Sequence, residues 1–495
     1  MTISNKQTAV PIPIQSMEQV KSHLHDAFGG TEDLALVTVL IGAEEGLLCY
    51  LKTMTSVTFM MENVIKPLSL LRQGEGEQDG VNRLQYLKEK CYGGLSGEFL
   101  SDIQALPKHL TAGKAGLWIH GVTSMLILDV MELISRSVDE PTTQTVVRGP
   151  KEGFTESAQT NMSLIRRRLA NEHLRFDKYT LGAQSGTDVY AAYIEGQVDD
   201  KVLRKVKRCL SSNKVKSLFD SGSLEEMISS SPFSLFPLSY NSERPDAICA
   251  LLLERRIAVI VNGSPFVLAV PAVMNDFFKS PEDYYQWFAF GTFTRMLRYL
   301  AFLFSLYIPS LYVAVTSYQQ ELIPTALLTS IAAQREGVPF PAVIEILAME
   351  ITFDILREAG TRMPRVVGQA ISIVGALVLG EAAVQAGIIS NINVIVVSLT
   401  AISGFVAPVY TFGANVRLMR FGFIILASIL GLFGVIIGTV FLLIHLARLE
   451  SFGVPYLSPF SPFRKAGQKD ALLRFPILAS SADSSSPVKE EERHE

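Results

Sequence analysis

Cysteine is scarce in this 495-residue chain: Cys49, Cys91, Cys209 and Cys249 stand far apart, with no CxxC pair and no histidine cluster beside them. That spacing offers neither a zinc site nor a disulfide framework, and leaves ordinary reduced thiols. Charge of one sign is lacking too, because 44 Lys and Arg face 48 Asp and Glu for a formal charge of -4. There is no basic field for nucleic acid to follow. Residues 1–30 are polar and hold no continuous apolar core. No cleavable secretory signal is expected, and the N-terminal part is expected on the cytosolic side. The glycines of the stretch Arg148 to Glu156, and those of Gly74-Glu-Gly76 with Gly80, lack the GxxxxGK[ST] order after an apolar strand, so they do not point to a phosphate-cradling loop. No Ser/His/Asp set, cleft-forming carboxylate pair or metal-ligand spacing appears in this part. Neither an enzyme nor a resident cofactor or metal is expected.

Long hydrophobic runs are missing before residue 290 and frequent after it. Four follow in succession, from Tyr299 to Val315, Val366 to Ile389, Ile392 to Tyr410 and Phe421 to Ile444. Each approaches the ~20 residues that cross a ~30 Å hydrocarbon core. Continuous rather than periodic hydrophobicity is what lipid demands, so the chain reads as an integral membrane protein with a large water-facing head.

The head shows an internal repeat. Asp33 to Gly42 and Glu45 to Leu51 read as paired strands, Thr55 to Leu71 as helical, and Gly116 to Leu128 as a closing hairpin. The order recurs as strands Arg175 to Gly182 and Asp188 to Ile194, a helix near Asp200 to Ser211, and a hairpin Ile257 to Leu268. Gly121 follows Tyr50 at nearly the interval at which Gly263 follows Tyr193. Matched spacing favours duplication of an α/β unit. The expected fold is therefore an α/β soluble head of two duplicated subdomains, followed by an α-helical multi-span membrane domain. Its expected divisions are a polar segment 1–30, a first subdomain 31–138, a linker 139–160, a second subdomain 161–290, a transmembrane domain 291–447, a C-terminal segment 448–477 and a disordered Ser-rich tail 478–495.

Polar residues inside the apolar third are the candidate sites. Glu350, Asp354 and Glu358 lie at i, i+4 and i+8 on one helix edge. Carboxylates near a bilayer must face water, protein or a partner charge. Two readings stay open: an ion path, or local neutralisation of Asp354 by Arg357 and of Glu358 by Arg362. In the second run Gly368, Ser372, Ala376 and Gly380 form an i+4 ladder of small residues beside an isolated acid, Glu381. Such an edge allows close helix packing, and a gate built on it is the sharper alternative. Gly431, Gly434 and Gly438 read as packing positions. Arg295, Arg298, Arg362, Arg365, Arg417 and Arg420 precede runs and favour the cytosol, yet so do Arg448, Arg464, Lys465, Lys469 and Arg474 in the tail. The side taken by the C-terminal segment stays open.

The ordered motifs Arg148-Gly-Pro-Lys-Glu-Gly-Phe-Thr-Glu156, Glu243-Arg-Pro-Asp246, Asn262-Gly-Ser-Pro265, Val338-Pro-Phe-Pro341 with Glu345, Arg357-Glu-Ala-Gly360, Ile373-Val-Gly375 and Ser451-Phe-Gly-Val-Pro-Tyr-Leu457 resemble the GerA family of endospore germination proteins, A-subunit type. The resemblance runs from about residue 30 to 475. It implies a germinant-receptor subunit in the spore inner membrane with its head on the spore-core side. The implied partners are a transporter-like B subunit that senses nutrient, a lipoprotein C subunit and further copies of the chain, as a homo-oligomer of pentameric type. It also implies a ligand-gated channel that releases monovalent cations. A SpoVAF-like member that amplifies germination, a non-conducting scaffold and, more weakly, a secondary transporter remain alternatives.

Overall fold

The computed structural model describes residues 12–41, 44–69, 80–92, 95–131, 140–212, 215–362, 378–463 and 470–475. Gly368, Ser372, Ala376 and the tail 478–495 lie outside these residues.

The head contains two five-stranded antiparallel sheets of one design. Strands β1 (Leu34–Ile41), β2 (Glu44–Leu51), β3 (Gly97–Leu100), β4 (Lys114–Ile119) and β5 (Met125–Asp129) lie in the order β1-β2-β4-β5-β3. Strands β6 (Leu174–Leu181), β7 (Thr187–Ile194), β8 (Tyr240–Ser242), β9 (Ile257–Val261) and β10 (Val267–Val270) repeat it as β6-β7-β9-β10-β8. Leu34 opposes Leu51 at one end of the first hairpin as Leu174 opposes Ile194 in the second. From Gly46 onward β2 is buried on both faces. That explains why its apolar run does not alternate.

Helices cover the sheets. They are α1 (Met17–Phe28), α2 (Gly80–Lys90), α3 (Leu106–Thr111), α4 (Ala158–Arg168), α5 (Asp200–Ser211), α6 (Ser221–Ile228) and α7 (Pro245–Leu253). Helix α5 shows why its sequence folds this way. The Asp199 side chain accepts from Lys201 N at its start, and Val202, Val206 and Leu210 bury one stripe of an otherwise charged surface. The helical stretch expected from Thr55 to Leu71 is found at 57–69, with a π-helical turn over Met61–Ile65. The two halves meet at a buried ion pair, Arg166 Nη2 to Asp33 Oδ2 at 2.9 Å. Beside it Phe176 N donates to Thr31 Oγ1.

The described residues between 288 and 448 are mainly helical: α8 (Phe288–Ser317), α9 (Thr325–Arg335), α10 (Ala342–Arg362), a helical stretch 378–385, α11 (Asn391–Phe405), α12 (Tyr410–Leu430) and α13 (Leu432–Arg448). Helices α8 and α12 are long and apolar enough to cross a membrane. Two expected runs are corrected. The third is a helix of only 15 residues, about 22 Å long at 1.5 Å per residue, because the chain leaves helical geometry before Pro408. The fourth is two helices. Gly431 sits at φ +61° between α12 and α13, and a side chain there would strike Tyr318 and Gln319. Both conditions select glycine. A Cβ at Gly434 would overlap the Leu426 carbonyl, and one at Gly438 would crowd Phe423, so these glycines seat α13 against α12.

Helices α8 and α12 both run away from the head. At the far end Tyr318 Oη donates to the Ser428 carbonyl and Leu432 N donates to Gln319 Oε1. Helix α13 returns, and the hairpin β11 (Glu450–Ser451) and β12 (Val454–Pro455) docks on the head, where Ser451 Oγ donates to Leu238 O and accepts from Ala272 N. Residues 450–463 and 470–475 thus lie against the head. The α12–α13 hairpin brings the described C-terminal residues back to the same end of the helices as the start of α8.

Candidate functional site

The acidic edge of α10 faces α12 as an antiparallel charged seam. Glu350 Oε2 lies 2.9 Å from Arg420 Nη2, with both side chains about 3% exposed. Toward the head, Asp354 Oδ1 lies 3.3 Å from Arg417 Nη1 and is partly buried. Acids four residues apart on α10 meet arginines three apart on α12, which is how two helical turns come into register. Glu358 pairs with Arg362 at the surface, as local neutralisation requires. The expected Asp354–Arg357 partnership is replaced: Arg357 lies 3.9 Å above the Phe405 ring and donates to the Ala401 carbonyl, tying α10 to α11. A guanidinium on an aromatic face is favourable in a poorly hydrated setting.

The seam is incompletely satisfied. Glu350 Oε1 and the Nε atoms of Arg417 and Arg420 are buried and find no hydrogen-bond partner among the described residues. A buried pair with spare valences offsets its desolvation poorly, so it is a weak stability device and a better candidate for a part that rearranges. At the far end Glu345, also buried, accepts from Ser390 N and Ser390 Oγ at 3.0 Å and lies 3.5 Å from Arg335 Nη2. It pins the start of α10 to the start of α11.

Of the ladder, Gly380 is buried, with Val394 in ordinary contact range of a Cβ placed there. Glu381 is exposed and accepts from Gln385 of the same helix turn. The described part of the ladder does not touch the seam. Arg417 and Arg420, read from sequence as markers of orientation, are the residues that reasoning missed as charge partners. Their i, i+3 spacing marks one face of a helix, but which helix that face meets is set by tertiary packing.

On the head side a second charged cluster fastens α8 to the C-terminal segment. Arg295 Nη1 lies 3.1 Å from Asp470 Oδ1 and its Nε 3.2 Å from Asp283 Oδ2, while Lys279 Nζ lies 2.9 Å from Asp470. Tyr284 Oη donates to Asp470 at 2.6 Å. Burial opposes ionisation of Asp470, but Lys279, Arg295 and these hydrogen bonds hold its carboxyl below the usual range. Burial pushes the Tyr284 hydroxyl up to about 12. Nearby, Phe277 stacks on Phe412 of α12 at 5.2 Å, and Phe278 on Tyr299 of α8 at 4.1 Å.

Among the described residues no His, Cys, Asp and Glu group is arranged to hold a metal ion. The arrangement can bind charge, tie helices together and exchange ion pairs.

Residues 22–485 match the family model described as Bacillus/Clostridium GerA spore germination protein. The chain is 44% identical to spore germination protein KA of Bacillus subtilis over 94% of this chain and 85% of that protein. It is 36% identical to spore germination protein B1 of the same organism, over 92% and 94%. Among solved structures, the N-terminal domain of the A subunit of the Bacillus megaterium spore germinant receptor GerK3 is similar at 24% identity, covering 54% of this chain and 99% of that one, with a TM-score of 0.43. A family match spanning nearly the whole chain, joined to relatives of the same description along their length, places this protein in the GerA family of spore germination proteins.

Proposed function

We propose that this chain is the A-type subunit of a nutrient-responsive germination receptor, assembled as a homo-oligomer whose helical region passes monovalent cations when nutrient is sensed. It works with a transporter-like B subunit and a lipoprotein C subunit, in the spore inner membrane and with its head on the core side. The observation that carries the reading is the seam. Two carboxylate–guanidinium pairs lie between α10 and α12, while Ile395, Leu399 and Ile402 of α11 and Ile425 and Ile429 of α12 present apolar faces outward. Lipid suits those faces. A ring of carboxylates freed from their arginines would favour cations. In the closed arrangement each acid is paired; opening exchanges Glu350 and Asp354 from arginine to water and the passing ion.

The same pairing favours a second reading, a non-conducting scaffold that relays occupancy through the duplicated head, since both acids already have partners. Reconstitution of the full chain in liposomes, with a potassium-flux readout, separates the two. The channel reading expects flux that falls or loses cation preference in the Glu350→Gln/Asp354→Asn protein at unchanged incorporation. Absence of flux from the intact protein, alone and with its partner subunits, overturns it.

A further inference from the structure

A cleft of about 320 Å³ opens where the head meets the start of α12. Its walls are α6, the loop 229–239, the first turns of α12 and the β11–β12 turn. It is separate from the seam and from the charged cluster at Asp470. Its volume falls at the lower end of the ~300–1,000 Å³ typical of small-molecule sites.

The lining has a one-sided character. Among the described residues Glu225 and Glu226 are its charged members, and no lysine or arginine of that set lines it. Lys205 reaches the Phe452 carbonyl but is not among the lining residues. Glu225 is the more enclosed of the two acids. Burial pushes its carboxyl up, and the nearby polar groups of Ser239 and Asn241 only partly oppose this. Around it the wall is rich in hydroxyls, with Ser231, Ser239 and Thr411 present beside Asn415. The Thr411 hydroxyl is buried without a hydrogen-bond partner among the described residues. An enclosed carboxylate, short hydroxyls and an apolar floor at Phe236 match a compact molecule with a cationic head and polar substituents, and repel an anion.

We propose that this cleft binds a small polar molecule carrying a protonated amine, with its ammonium on Glu225 and its polar groups against the Ser and Thr hydroxyls. Occupancy bears directly on α12, because Thr411, Ala414 and Asn415 face the cleft and Arg417 and Arg420 follow within about two turns of the same helix. The effect on the seam rests on the channel reading; the binding does not.

The test uses the full chain in nanodiscs with ethanolamine as probe and lactate as the anionic counterpart. Saturable ethanolamine binding by calorimetry is expected, with none for lactate. Glu225→Gln keeps shape and hydrogen bonding and is expected to weaken ethanolamine about tenfold or more, as the loss of a charged hydrogen bond does. An unchanged melting temperature certifies its fold. Hydrogen exchange supplies the location, with slowing expected in the loop 229–239 and the first turns of α12. No saturable ethanolamine binding by the intact protein overturns the proposal. So does binding that is indifferent to Glu225→Gln, or protection confined to other parts of the chain.

Discussion

Replacing Arg420 by Met removes the charge while keeping much of the volume, and leaves Glu350 facing an apolar interior. Both side chains are about 3% exposed and touch through one contact of 2.9 Å, so water cannot readily take the place of the lost guanidinium. Breaking a buried pair from one side costs roughly 3–5 kcal/mol. A ceiling follows from the glutamate itself, which can escape by taking up a proton. At pH 7 that costs about 3.7 kcal/mol for an ordinary pKa near 4.3, and at pH 5 only about 1 kcal/mol. The penalty of Arg420→Met should therefore fall from about 3–4 kcal/mol at pH 7 to about 1 kcal/mol at pH 5. The Glu350→Met/Arg420→Met double variant should recover most of the wild-type stability at both pH values, since spare valences at Glu350 Oε1 and Arg420 Nε mean that the pair offsets its own desolvation poorly. Thermal midpoints of the purified chain in nanodiscs, read for the four proteins of this cycle at the two pH values, provide the measurement. A pH-independent penalty for Arg420→Met, or a double variant as damaged as the single, would show that the site is a matter of packing and refute the electrostatic account.

Phe412→Ala, which empties the ring stack between Phe277, Phe278 and Phe302, should cost about 3–5 kcal/mol; a midpoint within a degree of wild type would contradict that stack's role. The lowered carboxyl of Asp470 contributes stability that is complete above the ordinary aspartate pKa of about 3.9 and is lost as pH falls through its folded value. Asp470→Asn should accordingly lower stability at pH 7 and flatten the acid limb of an unfolding curve, and an unaltered acid limb would count against the cluster. On the channel reading, Ala376→Leu tests the small-residue ladder, whose position 376 lies outside the described residues. Spores carrying it should lose cations before nutrient arrives, whereas normal resting cation content with merely slower response would remove the ladder from the gate.

The duplication was legible because strand pairs and hairpins are local: β1 with β2, and β9 with β10, are neighbours in sequence, and their apolar runs and turn glycines lie within a few residues of one another. The identical sheet orders were not legible, because β3 and β8 join by long-range pairing with β5 and β10. In the helical region hydropathy located apolar stretches but not breaks. It could not separate α12 from α13, since Gly431 looks like any packing glycine until its φ and its contact with Gln319 are known. The acidic edge was visible as an i, i+4 pattern on one helix. Its true partners were not, because a local rule offered Arg357 to Asp354, and tertiary packing supplied Arg417 from a different helix.

The return of the chain to the head has a mechanical consequence. The head is anchored to the helices at two places, by the start of α8 and by the segment beyond α13, which Arg295 and Lys279 clamp through Asp470. Between these two attachments the Phe277–Phe412 stack belongs to a core that head and helices share, so a displacement of the duplicated head cannot leave untouched the helix that carries the arginines of the seam.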